Sequence, residues 1–75
     1  MDINRAAEIF IISKYDAIND NVCNRIDFEI GKTKFVISKE DDDVTINYIS
    51  SVNVDVTFNC TRREDFENFV SGIFN

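Results

Sequence analysis

The sequence predicts an α+β domain of two layers. A four-stranded antiparallel meander carries an N-terminal and a C-terminal helix on one face, in the order α-β-β-β-β-α. Three observations predict it. Val52, Val54, Val56, Phe58 and Cys60 alternate with Asn53, Asp55, Thr57 and Asn59, and Val44, Ile46 and Tyr48 lead in with the same period of two. Ile26, Phe28 and Ile30 alternate with Arg25, Asp27 and Glu29 on the way to a Gly31-Lys32 turn. At both ends of the chain the apolar period changes to three and four, which is helical.

Residues 2–18 form the first predicted helix. Ile3, Ala7, Phe10, Ile11, Ala17 and Ile18 fall near one stripe, and Ile9 and Ile12 widen it. The stripe reads as core over more than half the helix girth, since such stripes usually face inward; otherwise it is apolar surface offered to a partner. Asp2 is placed to cap the start, and Asn19-Asp20-Asn21 to end the helix in a turn.

Residues 25–38 form the first hairpin. Gly first in a two-residue turn suits type II′ geometry. That turn sets Ile30 opposite Thr33, Phe28 opposite Phe35, Ile26 opposite Ile37, and Glu29 opposite Lys34 on the other face. A slip of one residue destroys every pairing. Lys39-Glu40-Asp41-Asp42-Asp43 reads as a polar connection, a solvated loop tip with four adjacent carboxylates.

Residues 44–60 form the second hairpin. A three-residue loop, Ser51-Val52-Asn53, keeps its apolar faces together, with a type I turn and Asn53 in the left-handed conformation. Tyr48 then pairs with Val56, Ile46 with Phe58 and Val44 with Cys60, and Val52 is left in the loop. Thr61-Arg62-Arg63-Glu64 reads as a capping box for the last helix, whose stripe is Phe66, Phe69, Val70, Ile73 and Phe74. No repeat or linker divides the chain, so residues 1–75 are one domain.

A chain of 75 residues buries about 60% of its unfolded surface, enough for one small core. Its net charge of −6 argues against direct capture of nucleic acid or of an anionic membrane. It fits a protein partner with a basic surface. The first residues carry no basic n-region and cleavage site, and Ile9-Phe10-Ile11-Ile12 is too short to span a bilayer, so a cytoplasmic location is expected. There Cys23 and Cys60 are thiols, although the strands bring both to one end of the sheet.

Chemistry is scarce. Without His there is no Cys-His or Ser-His-Asp arrangement. Two cysteines fall short of a structural zinc site, and two glycines make no phosphate-cradling loop. Glu40, Asp41, Asp42 and Asp43 lack the spacing and central Gly of a calcium loop. No enzyme activity, metal or cofactor is therefore expected.

The wet face of the sheet carries Asp27, Glu29 and Asp55 but no aromatic residue, so it is not a base-stacking platform. The candidate partner-binding residues are Asp41, Asp42, Asp43 and Glu40, then Asp27, Glu29 and Asp55. Together they offer spaced negative charges of the kind a nucleic-acid backbone presents; as a plain reading, they are an ordinary solvated surface. In size, acidity and layout the chain is similar to the small inhibitors that phages make against host defence systems, the anti-CRISPR and anti-restriction proteins. That likeness of class implies a non-enzymatic inhibitor, in the host cytoplasm, that occupies a basic nucleic-acid site. A small assembly subunit acting through apolar self-association or docking is the second reading. An immunity or antitoxin-like partner of a basic toxin is the third. The expected state is a monomer or a small homo-oligomer.

Overall fold

A computed structural model describes residues 2–74. Helix α1 spans Ile3–Asn19, followed by strands β1 (Arg25–Ile30), β2 (Thr33–Glu40), β3 (Asp43–Ile49) and β4 (Asp55–Cys60), and by helix α2 (Arg63–Ile73). The strands lie in the order β1-β2-β3-β4, all neighbours antiparallel. This is the α-β-β-β-β-α meander that the alternation predicts.

Both hairpin registers agree with the sequence reading. Ile30 faces Thr33, Phe28 faces Phe35 and Ile26 faces Ile37, while Glu29 faces Lys34 on the other side. Val44 faces Cys60, Ile46 faces Phe58 and Tyr48 faces Val56. Gly31 has φ +61, the positive first-position φ that a type II′ turn requires. In the second hairpin the Asn53 amide donates to Ser50 O at 2.9 Å and Asn53 has φ 62. The Ser50 amide donates to Val54 O, so the loop is Ser51-Val52-Asn53, with Val52 exposed.

Three details differ from expectation. The connection at residues 39–43 is mostly strand. Lys39 pairs with Val44 and Glu40 with Asp43, which leaves a two-residue turn, Asp41-Asp42. Asp41 adopts φ 55, which the short polar side chain of Asp tolerates. Pairing proceeds to the tip because the β2–β3 ladder is continuous from Lys34 onward, and charge on the outer residues does not stop backbone hydrogen bonding.

Thr61 does not cap α2. The cap position is Arg62, in extended geometry (φ −123, ψ 143) and with no side-chain cap bond. β4 delivers the chain at Cys60, and the helix starts where Phe66 and Val70 reach the core. Glu64 is then one residue too early to reach back, and Asp65 takes the third helical position. Arg62 holds Asp65 (Nη2 to Oδ1, 3.2 Å), and the acidic pair Glu64 and Asp65 suits the positive helix end.

The α1 stripe is also rotated. Its buried row is Glu8, Ile11, Tyr15 and Ile18, whereas Ile3 is 84% exposed, Phe10 43% and Ile9 42%. Helix α1 packs against both the sheet and α2, and this row is the part of it that is sealed. Glu8 enters the row with Arg5 as its partner at 3.7 Å. Asp2 caps α1 as expected, accepting from the Asn4 amide. At the far end the amides of Asn21 and Val22 donate to Ile18 O and Ala17 O, and Asn21 has φ 61. That is a Schellman stop.

The core lies between the sheet and the two helices. Ile11, Ile18, Phe35, Ile37, Ile46, Phe66 and Val70 are all but sealed. Each such side chain contributes about 1.5–3 kcal/mol by leaving water. A chain of rings crosses the whole layer. Phe10 meets Phe28, Phe28 stacks on Phe35, Phe35 meets Tyr48, Tyr48 meets Phe69, and Phe69 stacks on Phe58 at 4.3 Å. No helix among the described residues is long and apolar enough to cross a membrane.

Candidate functional site

The topology gives the domain two poles. The end of α1, the start of β1, the β2–β3 turn and the β4–α2 junction share one pole. The start of α1, the two other turns and the end of α2 share the opposite one; there the Asn4 amide side chain donates to Phe74 O.

The first pole is acidic. Glu40, Asp41, Asp42 and Asp43 form its centre, and Glu40 and Asp43 stand directly opposite each other across the ladder. Asp20, the C-cap of α1, and Glu64 and Asp65, in the first turn of α2, join them. The cations nearby are engaged. Arg62 holds Asp65, and Arg63 holds Asp16 at 2.9 Å and Glu67 at 2.6 Å. The Lys39 ammonium donates to Asn19 O at 3.3 Å and Asn21 Oδ1 at 3.1 Å, which ties it to the negative end of α1. Among the described residues, Asp20, Glu40, Asp41, Asp42, Asp43 and Glu64 make no ion pair.

Cys60 senses this pole. Burial first, and then the charges of Asp65 and Asp43, push its thiol up to about 11. It is 4% exposed and directs its sulfur at Val44 O. Both cysteines are free.

Asp27, Glu29 and Asp55 lie elsewhere. The registers arrange the helix-free face in three rows: Arg25, Ser38, Thr45 and Asn59; Asp27, Val36, Asn47 and Thr57; Glu29, Lys34, Ile49 and Asp55. One ion pair and a set of polar bonds lie on this face. Arg25 holds Asp27 through two bonds, 2.9 and 3.3 Å, and the Asp27 carboxyl is lowered chiefly by that hydrogen bond. The Asn47 side-chain amide donates to Asp55, to Val56 O and to Thr57. Asn59 donates to Thr45 at 2.9 Å. Glu29 faces Lys34. This surface is polar and close to neutral.

Of the seven candidate residues, four thus gather at the acidic pole and three belong to a different, mixed-charge face. Asp20, Glu64 and Asp65 were missed. Their signal is topological: once Val44 faces Cys60, whatever follows Cys60 shares an end with residues 40–43. Chemically the pole can accept hydrogen bonds from Arg and Lys side chains. No group of three or more Cys, Asp or Glu among the described residues is placed to hold a metal ion.

Comparison with protein-family models, with curated proteins and with solved structures gives no significant match in any of the three.

Proposed function

We propose that this is a small, non-enzymatic protein-binding domain that presents its acidic pole to the basic, nucleic-acid-binding surface of another protein and keeps nucleic acid off it. The observation that carries the reading is the gathering of six carboxylates without ion pairs from three chain junctions. Their placement is costly to the fold. Like charges face each other at Glu40 and Asp43, and Asp41 holds a left-handed φ. Stability alone favours neither. Exposed carboxylates on a rigid turn and two helix ends pair readily with Arg and Lys and give fast, steered association.

A nucleic-acid-binding defence complex of a bacterial host is the partner to try first, as size, acidity and layout suit an inhibitor of that class. The test compares the natural chain with a variant carrying Asp20→Asn, Glu40→Gln, Asp41→Asn, Asp42→Asn, Asp43→Asn and Glu64→Gln. Each is used to capture proteins from a host lysate across a salt series. The expected result is one nucleic-acid-binding complex, released as salt rises, displaced by oligonucleotide and absent with the variant. A partner that the variant captures equally, or that survives high salt, overturns the reading.

A further inference from the structure

We infer that β1 is a self-association edge: two copies join β1 to β1, antiparallel, with Asp27 of each on the two-fold axis, making one eight-stranded sheet. The inference goes beyond the proposed function and does not depend on it.

Among the described residues, nothing pairs with the outer side of β1. In a two-residue hairpin the closing residues, Ile30 and Thr33, exchange their backbone bonds, and the pattern then alternates. Asn24 O accepts from the Lys39 amide, in phase with that alternation. The N–H and C=O groups of Arg25, Asp27 and Glu29 therefore point away from β2. Sheet edges are usually guarded by Pro, by a bulge or by charged side chains, and charges of both signs can instead pair with a complementary edge. This strand has no Pro, pairs without a bulge and carries charges of both signs.

Those charges fit a second copy. With Asp27 on the axis, Arg25 of each copy faces Glu29 of the other on the wet face, and Ile26 faces Phe28 on the apolar face. All three outward residues then exchange backbone bonds. Moving the axis to Phe28 sets Asp27 against Glu29, and moving it to Arg25 sets Arg25 against itself; both are repulsive. The two Asp27 carboxylates on the axis are each already held by their own Arg25.

The apolar layer is open along the same edge. At β4 it is closed by Phe69 stacked on Phe58. At β1 it continues into a groove of about 360 Å³ between α1 and the strand, lined by Ile3, Ala6, Ala7, Phe10 and Ile30 with Glu29 at its border. Helix α1 packs over β2 and β1. In the eight-stranded sheet the two β2 strands are three spacings apart, about 14 Å. Directly packed helices need only about 8–10 Å. The exposed Ile3 and Phe10 of both copies are in place to fill that difference.

Net charge does not forbid the pairing. Two chains of −6 repel, but antiparallel joining sends the acidic poles to opposite ends. Each acidic pole then lies beside the other copy's Gly31-Lys32 turn, with Lys32 at the level of Val22, near Asp20.

The test is sedimentation of Arg25→Glu, Glu29→Arg and Ile3→Asp variants from micromolar to millimolar concentration, in low and high salt. All three positions are exposed, and thermal unfolding of each variant confirms the fold. The natural chain is expected to dimerise, more tightly as salt screens its net charge. Each single variant is expected to weaken the dimer by about tenfold. An equimolar mixture of Arg25→Glu and Glu29→Arg restores it, because both cross-copy pairs between positions 25 and 29 are then opposite in sign. A monomer throughout, or a dimer indifferent to these changes and to mixing, overturns the inference. So does an edge that accepts only an extended segment of another protein.

Discussion

Arg63 and Asp16, 47 residues apart, join the two helices through paired bonds: Nε to Oδ1 at 2.9 Å and Nη2 to Oδ2 at 3.1 Å. A parallel fork of this kind is the strong form of a surface ion pair. It also orients α2, because Arg63 is the first residue of that helix.

The pair is expected to show positive coupling in a double-mutant cycle. Arg63→Gln and Asp16→Asn each lower the urea midpoint, and the double variant falls no further than the worse single one. The guanidinium is raised above its ordinary value, first by the hydrogen bond to Asp16, so it stays charged at every usable pH. At about 1 M salt, where the screening length is near 3 Å, the coupling should vanish. Coupling that survives there means packing of the Arg63 stem rather than charge.

Cys60 makes stability depend on alkaline pH. Its thiol is pushed from the ordinary 9.0 to about 11, burial first. The folded state holds the proton more tightly than the unfolded one. The contribution is therefore fully present below pH 9 and is lost as pH rises from 9 to about 11. A two-unit shift sets a ceiling of about 2–3 kcal/mol, which solvent screening reduces to about 1–2 kcal/mol. Tyr15, also raised chiefly by burial, loses its contribution in the same direction above pH 10. Urea unfolding at pH 8 and pH 10.5 measures the drop, and Cys60→Ala should flatten most of it. At pH 8 a thiol reagent should modify Cys23 quickly and Cys60 only as fast as the chain unfolds. Two fast thiols refute the burial argument.

The fold was legible where one physical rule acts alone. Alternation fixes which residues of a strand face inward, and a Gly-first turn fixes register, so both hairpins could be read to the residue. It was illegible where two rules compete. Thr61 and Glu64 satisfy the capping pattern, but the start of α2 is decided by where β4 ends and where Phe66 meets the core. Ile3, Phe10 and Ile9 extend the apolar stripe of α1, but a helix touching a sheet and another helix seals only part of its girth, the row from Glu8 to Ile18. The acidic pole was half legible. The run from Glu40 to Asp43 stands out in the chain, whereas Asp20, Glu64 and Asp65 join it only through topology. Asp27, Glu29 and Asp55 belong to another face: the hairpin register already set Glu29 opposite Lys34, whereas the side-chain bonds from Arg25 to Asp27 and from Asn47 to Asp55 appear only in the structure.

Lys39 is one such hidden partner. In sequence it opens a charged loop; in the fold it belongs to β2 and closes the last turn of α1 through Asn19 O and Asn21 Oδ1. A cation at a helix C-terminus contributes about 0.3–1 kcal/mol. Lys39→Met keeps the aliphatic stem and should lower stability by about that amount. Hydrogen exchange should show the loss in the amides of residues 18–22, with β4 unaffected. Uniform loss across the sheet points instead to a role for Lys39 in strand pairing.

Asp41 separates charge from backbone strain at the acidic pole. It is exposed, and it holds φ 55 at the first place of a two-residue turn. L-residues lose roughly 1–2 kcal/mol in that region, Asn and Asp somewhat less, and Gly escapes the penalty. Asp41→Gly, Asp41→Asn and Asp41→Ala all remove the same charge and differ in backbone preference. Gly should raise stability by about 1 kcal/mol and Ala should lower it by about as much. Asn should gain a few tenths, from relief of repulsion with Glu40, Asp42 and Asp43. Thermal unfolding ranks the three. Binding should not follow that rank. If the pole works through charge, the three variants lose equal affinity for a basic partner, and the salt dependence of binding becomes equally shallow. If the Gly and Asn variants bind like the natural chain and only Ala fails, the turn's shape is what the partner reads, and the acidic run is ordinary solvated surface.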